Sequence, residues 1–93
     1  MKWTRSESAS FLDDGQSPIL SIIRTDGVDG CHYRIDYYCI NEYEEIDGPS
    51  LEYTEWQAVL HLGNRCNAEA NYYRRIRDKL PSVHDLAERA RII

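Results

Sequence analysis

Most of the usual pointers to chemistry are missing from this sequence. Its five glycines are scattered, and none opens a run followed by Lys and Ser or Thr, so there is no phosphate loop. Neither Gly-x-Ser-x-Gly nor Ser-x-x-Lys occurs, so no nucleophile motif marks a hydrolase. No apolar run approaches the ~18 residues of a membrane span. No apolar stretch follows Lys2 and Arg5, so the start does not read as a secretory signal. Cysteine is limited to three residues, an odd number whose spacing matches no disulfide framework, which suits a reducing cytoplasmic setting. There is no internal repeat and no low-complexity tract. With 93 residues the chain is too short for a Rossmann, kinase or barrel enzyme and holds one domain.

What is present is ordinary soluble composition, 42% apolar and 29% charged, with an uneven distribution of charge. Residues 1–55 hold 12 Asp/Glu and 4 Lys/Arg, a balance of −8; residues 56–93 hold 4 and 7, a balance of +3. The whole is −5, which argues against non-specific DNA binding and for a polarised surface.

The first 17 residues support three readings: a short helix opened by the capping pair Thr4 and Glu7, a mobile arm, or a first strand. Asp13-Asp14-Gly15-Gln16-Ser17-Pro18 is a break. Ile19–Arg24 is β-rich, and Thr25–Gly30 carries two Asp-Gly pairs, a strong turn signal. In Cys31–Ile40 the apolar Cys31, Tyr33, Ile35, Tyr37 and Cys39 alternate with His32, Arg34, Asp36 and Tyr38. Period-2 alternation predicts an antiparallel hairpin with Ile19–Arg24 that buries Tyr33, Ile35 and Tyr37. Asn41–Glu55 reads as an acidic loop, with an optional short strand at Leu51–Tyr53.

From Thr54, a plausible N-cap, an apolar stripe runs through Trp56, Val59, Leu62, Cys66, Ala70, Tyr73, Ile76 and Leu80 without losing helical phase. That phase predicts one helix from about Glu55 to Lys79, ~38 Å long at 1.5 Å per residue. Gly63 interrupts it, at a cost of about 1 kcal/mol relative to Ala. Pro81 ends the helix, and Ser82 caps a short last one. The expected fold is α+β: an antiparallel hairpin or meander of two to four strands packed against a long helix, with a short C-terminal helix.

A metal site fails on spacing. Cys31 and Cys39 are eight residues apart on one strand, ~27 Å if straight. His61 and Cys66 fall off a shared helix face, and His32 points away from Cys31. The expectation is no structural zinc, no disulfide and no cofactor.

Two segments could carry a function. Tyr38–Glu55 is acidic and aromatic, and its Glu42, Tyr43, Glu44, Glu45, Asp47, Glu52 and Tyr53 form a candidate partner-binding set. Carboxylates steer a basic partner and tyrosines anchor it. The same carboxylates could instead stay solvated, or pair with the chain's own Arg-rich helix at Arg74, Arg75 or Arg77, within or between protomers. Tyr72, Arg74, Arg75, Arg77 and Lys79 form the alternative, a nucleic-acid-binding helix face that grips phosphates and stacks on bases. In size and style the chain resembles small phage-encoded inhibitors of host machinery, the anti-CRISPR proteins among them; no motif carries the likeness, and it transfers no site residue. The leading expectation is a non-enzymatic inhibitor that covers the basic surface of a larger nucleic-acid-handling protein or ribonucleoprotein, in one version as a DNA mimic. An immunity protein or antitoxin is the second expectation, a nucleic-acid-binding domain the third, and a small enzyme with an unfamiliar site the fourth.

Overall fold

The computed structural model describes residues 1–25, 32–68 and 70–92, with the side chains of 70–73 outside the description. Five strands, β1 (Lys2–Arg5), β2 (Ala9–Asp13), β3 (Pro18–Thr25), β4 (His32–Tyr37) and β5 (Glu42–Asp47), form one antiparallel sheet in sequence order. Helices α1 (Leu51–Ala68), α2 (Ala70–Lys79) and α3 (Val83–Arg89) follow. Strands then helices is the α+β order that composition and periodicity predicted. Because α1 lies against β2, β3 and β4, the helices cover one face of the sheet, and no described element packs on the other, open face.

The register of the β3–β4 hairpin follows from the alternation. Ile22 faces Ile35 and Leu20 faces Tyr37, so Tyr33, Ile35 and Tyr37 are buried while Arg34 is exposed. On α1, Ala58, Val59, Leu62 and Cys66 complete the core with Leu12, Leu20 and Ile22, and Leu86 of α3 closes it. The Asp-Gly pairs and Cys31 lie outside the described residues. β4 ends at Tyr37, so Cys39 stands in the following turn, where Asn41 takes a left-handed φ of 54°.

The sheet is larger than the two to four strands expected. Residues 2–13 are a hairpin, neither a helix nor an arm, with Thr4 opposite Phe11 and Trp3 opposite Leu12. The break after it is a turn in which Asp14 Oδ1 accepts the N–H groups of Gln16 and Ser17 at 2.9 and 2.7 Å. The acidic stretch is not a loop either: Glu42–Asp47 pairs along the whole of β4. An edge strand tolerates such charge because one side of its backbone faces water, and charged side chains there discourage pairing with other chains.

Two boundaries also move. Leu51–Tyr53 is the first turn of α1, and Ser50, not Thr54, is its cap: Ser50 Oγ accepts the Tyr53 N–H at 3.1 Å. Thr54 is fully buried and donates its hydroxyl to the Ser50 carbonyl at 2.9 Å. The single long helix is two helices. A Cβ on Gly63 would lie 3.8 Å from Leu80 Cδ1, whereas 17 residues of continuous helix would separate them by ~25 Å. So α2 folds back along α1. The apolar stripe keeps its phase because Ile76 and Leu80 approach the same core that Val59 and Leu62 enter, and periodicity does not register the reversal. Ser82 caps α3 as expected, accepting the Asp85 N–H at 3.2 Å.

Candidate functional site

Strand alternation decides what the open face presents. The register aligns Thr4, Phe11, Ser21, Asp36 and Tyr43 in one row across the sheet, and Ala9, Ile23, Arg34 and Glu45 in the next. A third row holds Thr25, His32 and Asp47. Phe11 (44% exposed), Ile23 (43%) and Tyr43 (64%) therefore stand in solvent on one surface, and Tyr38 (51%) joins them through a 2.9 Å hydrogen bond to Ser21. Such a cluster of large apolar side chains marks a contact surface more often than a solvated one.

Polar groups fix the geometry of that face. The Arg34 guanidinium lies 4.4 Å above the Tyr43 ring and donates to both Asp36 oxygens at 3.2 Å. His32 Nδ1 is 2.7 Å from Asp47 Oδ1, and Nε2 is 3.7 Å from Glu45. The hydrogen bond to Asp47 holds the His32 pKa above its ordinary value against partial desolvation. Each cation here is outnumbered: Arg34 and His32 stand among Asp36, Glu45 and Asp47.

The acidic set divides between the two sides of β5. Tyr43, Glu45 and Asp47 lie on the open face. Glu42 and Glu44 point to the helical side, where Arg65 binds Glu42, His61 lies 3.8 Å from it, and the Tyr37 hydroxyl donates to Glu44 at 2.6 Å. Burial, and then this bond to a carboxylate, push the Tyr37 pKa far above the usual range. Glu52 sits on α1, 3.8 Å from Arg89. Tyr53 packs on Trp56 with ring centroids 5.6 Å apart, and its hydroxyl accepts from Gln57 at 3.0 Å. The pairing with the Arg-rich helix expected as the alternative is not found: Glu42, Glu44 and Glu52 do have internal partners, but these are Arg65, Tyr37 and Arg89, not Arg74, Arg75 or Arg77.

On α2, Arg74 is 3.9 Å and Arg77 3.4 Å from Asp78, and Arg77 turns into the groove against α1. Arg74, Arg75 and Lys79 are exposed; the Tyr72 side chain lies outside the described residues.

No family model, curated protein or solved structure matches the chain. Among the described residues no three His, Cys, Asp or Glu side chains are grouped to hold a metal ion, and no helix is long and apolar enough to cross a membrane. Cys39 is a half-buried thiol whose pKa burial and the neighbouring Cys66 push up to about 11.

One constellation was invisible in the sequence. Glu55 is fully buried. Its carboxylate accepts three contacts from Arg5 (Nε at 3.2 and 2.9 Å, Nη2 at 2.8 Å), one from Ser10 Oγ at 2.6 Å and one from Arg89 Nη1 at 2.7 Å. Burial alone would raise its pKa; the bonds from Arg5 and Ser10 and the charges of Arg5 and Arg89 outweigh burial and hold it below the ordinary value. Fifty residues separate Arg5 from Glu55, and no local pattern announces that pairing. Phe11 and Ile23 were missed for different reasons: β2 has only five residues, too few for alternation to stand out, and in β3 the run Ile19, Leu20, Ile22, Ile23 is apolar on both faces and shows no alternation.

Proposed function

We propose that this chain is a non-enzymatic binding protein that presses the open face of its sheet onto the basic surface of a larger nucleic-acid-handling protein or complex and blocks it. The supporting observation is the row structure of that face: Phe11, Ile23, Tyr38 and Tyr43 exposed together, with Asp36, Glu45 and Asp47 beside them. Aromatic and aliphatic groups supply the desolvated centre of an interface, and carboxylates supply steering toward a cationic target. Residues 1–50, which build the sheet, hold 10 Asp/Glu and 4 Lys/Arg, a balance of −6; residues 51–93, the helical layer, hold 6 and 7, a balance of +1. A basic target would therefore be drawn to the sheet side. In the mimicry version of the same reading, Glu45 and Asp47, two residues apart on the same face of β5, would take the part of phosphates of a bound strand.

Size sets a limit. Five strands 4.8 Å apart and about six residues long give a face of ~19 by ~20 Å. In projection that is about half the ~800 Å² per partner of a standard interface. A stable complex must then also take in the β5 edge and the turn that carries Tyr38.

The test begins with the co-purifying protein from the native host. Adding this chain in equimolar amount should release nucleic acid from that partner. Tyr43→Ala should cost ~2 kcal/mol or more of affinity, mainly through faster dissociation. Glu45→Lys with Asp47→Lys should slow association and flatten its salt dependence. Unchanged binding by both variants would move the surface elsewhere. A captured toxin whose activity is neutralised through the same residues would assign an immunity protein or antitoxin instead. The exposed Arg74, Arg75 and Lys79 support the remaining reading, direct nucleic-acid binding by α2, which retention of labelled single-stranded DNA by the purified chain would establish.

A further inference from the structure

At the opposite side of the sheet from the aromatic face, a cleft of about 330 Å³ is lined by Arg5 of β1, Ser6, Arg24 of β3, Tyr33 of β4, the N-terminal turn of α1 and Arg89 of α3. Three arginines from three separate elements line it. Like charges brought together repel, so the arrangement needs an explanation. Glu55 explains two of them. It lies behind the cleft and binds Arg5 and Arg89, fixing both planes, and its two oxygens are fully used by those arginines and Ser10.

Arg24 is not explained that way. Its backbone N–H donates to the Ser8 carbonyl at 2.8 Å, which anchors the end of β3 beside the β1–β2 turn, and its side chain enters no ion pair among the described residues. Arg5 commits Nε and Nη2 to Glu55, and its Nη1 makes no hydrogen bond among the described residues. Arg89 gives Nη1 to Glu55, and its Nη2 is 3.8 Å from Glu52, beyond hydrogen-bond distance. The first backbone N–H groups of α1, at Leu51 and Glu52, open on the same space and by helix geometry have no acceptor within the helix.

We propose that this cleft binds a phosphate group, carried by a small molecule no larger than a nucleotide, with Arg24 as the arginine whose charge the ligand neutralises and Arg5 and Arg89 as donors pre-set by Glu55. Forked guanidinium donors match phosphate oxygens in geometry, and a phosphate ester near neutral pH carries close to two negative charges. The volume lies at the small end of ligand sites, which excludes an extended polymer and admits a mononucleotide. Glu52 and Glu7 also line the cleft and oppose the anion. Glu52 acts as a built-in competitor for Arg89, which keeps the site weak for lone ions and selects ligands with further contacts.

The test is a titration of the isotope-labelled chain by two-dimensional NMR at a constant ionic strength of about 0.15 M. Probes are inorganic phosphate and adenosine monophosphate, with chloride as the matched control. The expected result is saturable shifts confined to the amides of Ser6, Arg24, Leu51 and Glu52, with a dissociation constant of about 1 mM or tighter for the better probe. Arg24→Gln should weaken binding about tenfold or more and leave the dispersed spectrum intact, because the Arg24 side chain is exposed and enters no ion pair among the described residues. Glu52→Gln should tighten binding. Tighter binding of the nucleotide than of phosphate assigns a nucleotide ligand; equal binding assigns the bare oxyanion. The proposal is overturned by an absence of saturable shifts up to about ten times that concentration, or by shifts that Arg24→Gln leaves unchanged.

Discussion

Replacing Glu55 by Gln preserves the shape of the side chain and removes its charge. Arg5, Arg89 and Ser10 then lose the carboxylate on which all three converge. Breaking a fully buried pair by removing one partner costs 3–5 kcal/mol. Here the glutamate is fully buried but Arg5 and Arg89 are 33% and 40% exposed, so water solvates the stranded guanidinium groups and lowers the cost. We expect about 2–3 kcal/mol, against a total of ~5–14 kcal/mol for a chain of this length. At 4–8 °C per kcal/mol, the melting temperature at pH 7 should fall by roughly 10–20 °C. The pH dependence carries the sharper information. The Glu55 pKa is depressed in the folded protein, so its contribution is fully present above the unfolded value of 4.5 and is lost as pH falls through the folded one. Other carboxylates titrate in both proteins and cancel in the difference. Thermal melts followed by circular dichroism at pH 7, 5 and 3 should therefore show a gap between wild type and Glu55→Gln that is constant at the first two and narrower at the last. A gap below about 1 kcal/mol at pH 7, or one that persists undiminished in acid, would refute the account of this cluster.

Gly63→Ala should stabilise the protein by up to about 1 kcal/mol, because the site is a helix interior and the new methyl meets Leu80 Cδ1 at an ordinary 3.8 Å. Gly48→Ala should do the reverse, since its Cβ would lie 3.1 Å from Tyr53 Cδ1 and 3.3 Å from Thr54 Oγ1; urea titration compares the two. His32 should titrate above 6.5 by NMR, and Asp47→Asn should bring it back toward that value. Because the folded pKa is the higher one, whatever stability the His32–Asp47 contact gives is present below pH 6.5 and disappears as pH rises through the folded value.

What could be read in advance divides along physical lines. The β3–β4 hairpin was legible because Tyr33, Ile35 and Tyr37 bury every second side chain, and burial of one face fixes register. Strand β5 was not, because Glu42 and Glu44 occupy its inner positions: partners from α1 and β4 let carboxylates stand where the pattern calls for apolar groups. The α1–α2 reversal was hidden by a stripe that serves one core from two directions. As for the candidate set, the sequence grouped Tyr43, Glu45 and Asp47, which share a face, with Glu42 and Glu44, which belong to the other, and with Glu52 and Tyr53, which lie on α1. Adjacency in sequence put them together, and pleating separates them. Arg24 and Arg34 drew no attention because isolated arginines in strands carry no pattern at all.

Alternation also makes the two proposed surfaces independent. Arg5 and Arg24 share parity with the core residues Ser10 and Tyr33 opposite them, whereas Phe11, Ile23, Tyr43 and Glu45 have the other parity. The sheet itself stands between cleft and aromatic face. A ligand held by Arg24 thus touches none of the side chains that would meet a basic partner, and its negative charge is too far away to add much to steering at physiological salt, where the screening length is ~8 Å. Saturating phosphate or nucleotide should leave the partner's dissociation rate unchanged at matched ionic strength. Conversely, Glu45→Lys should leave the phosphate titration unchanged. A strong effect in either direction would mean that the β1–β2 or the β3–β4 hairpin, each of which contributes to both surfaces, shifts as a unit when either is occupied, and the two sites would then have to be treated as coupled by a single conformational equilibrium.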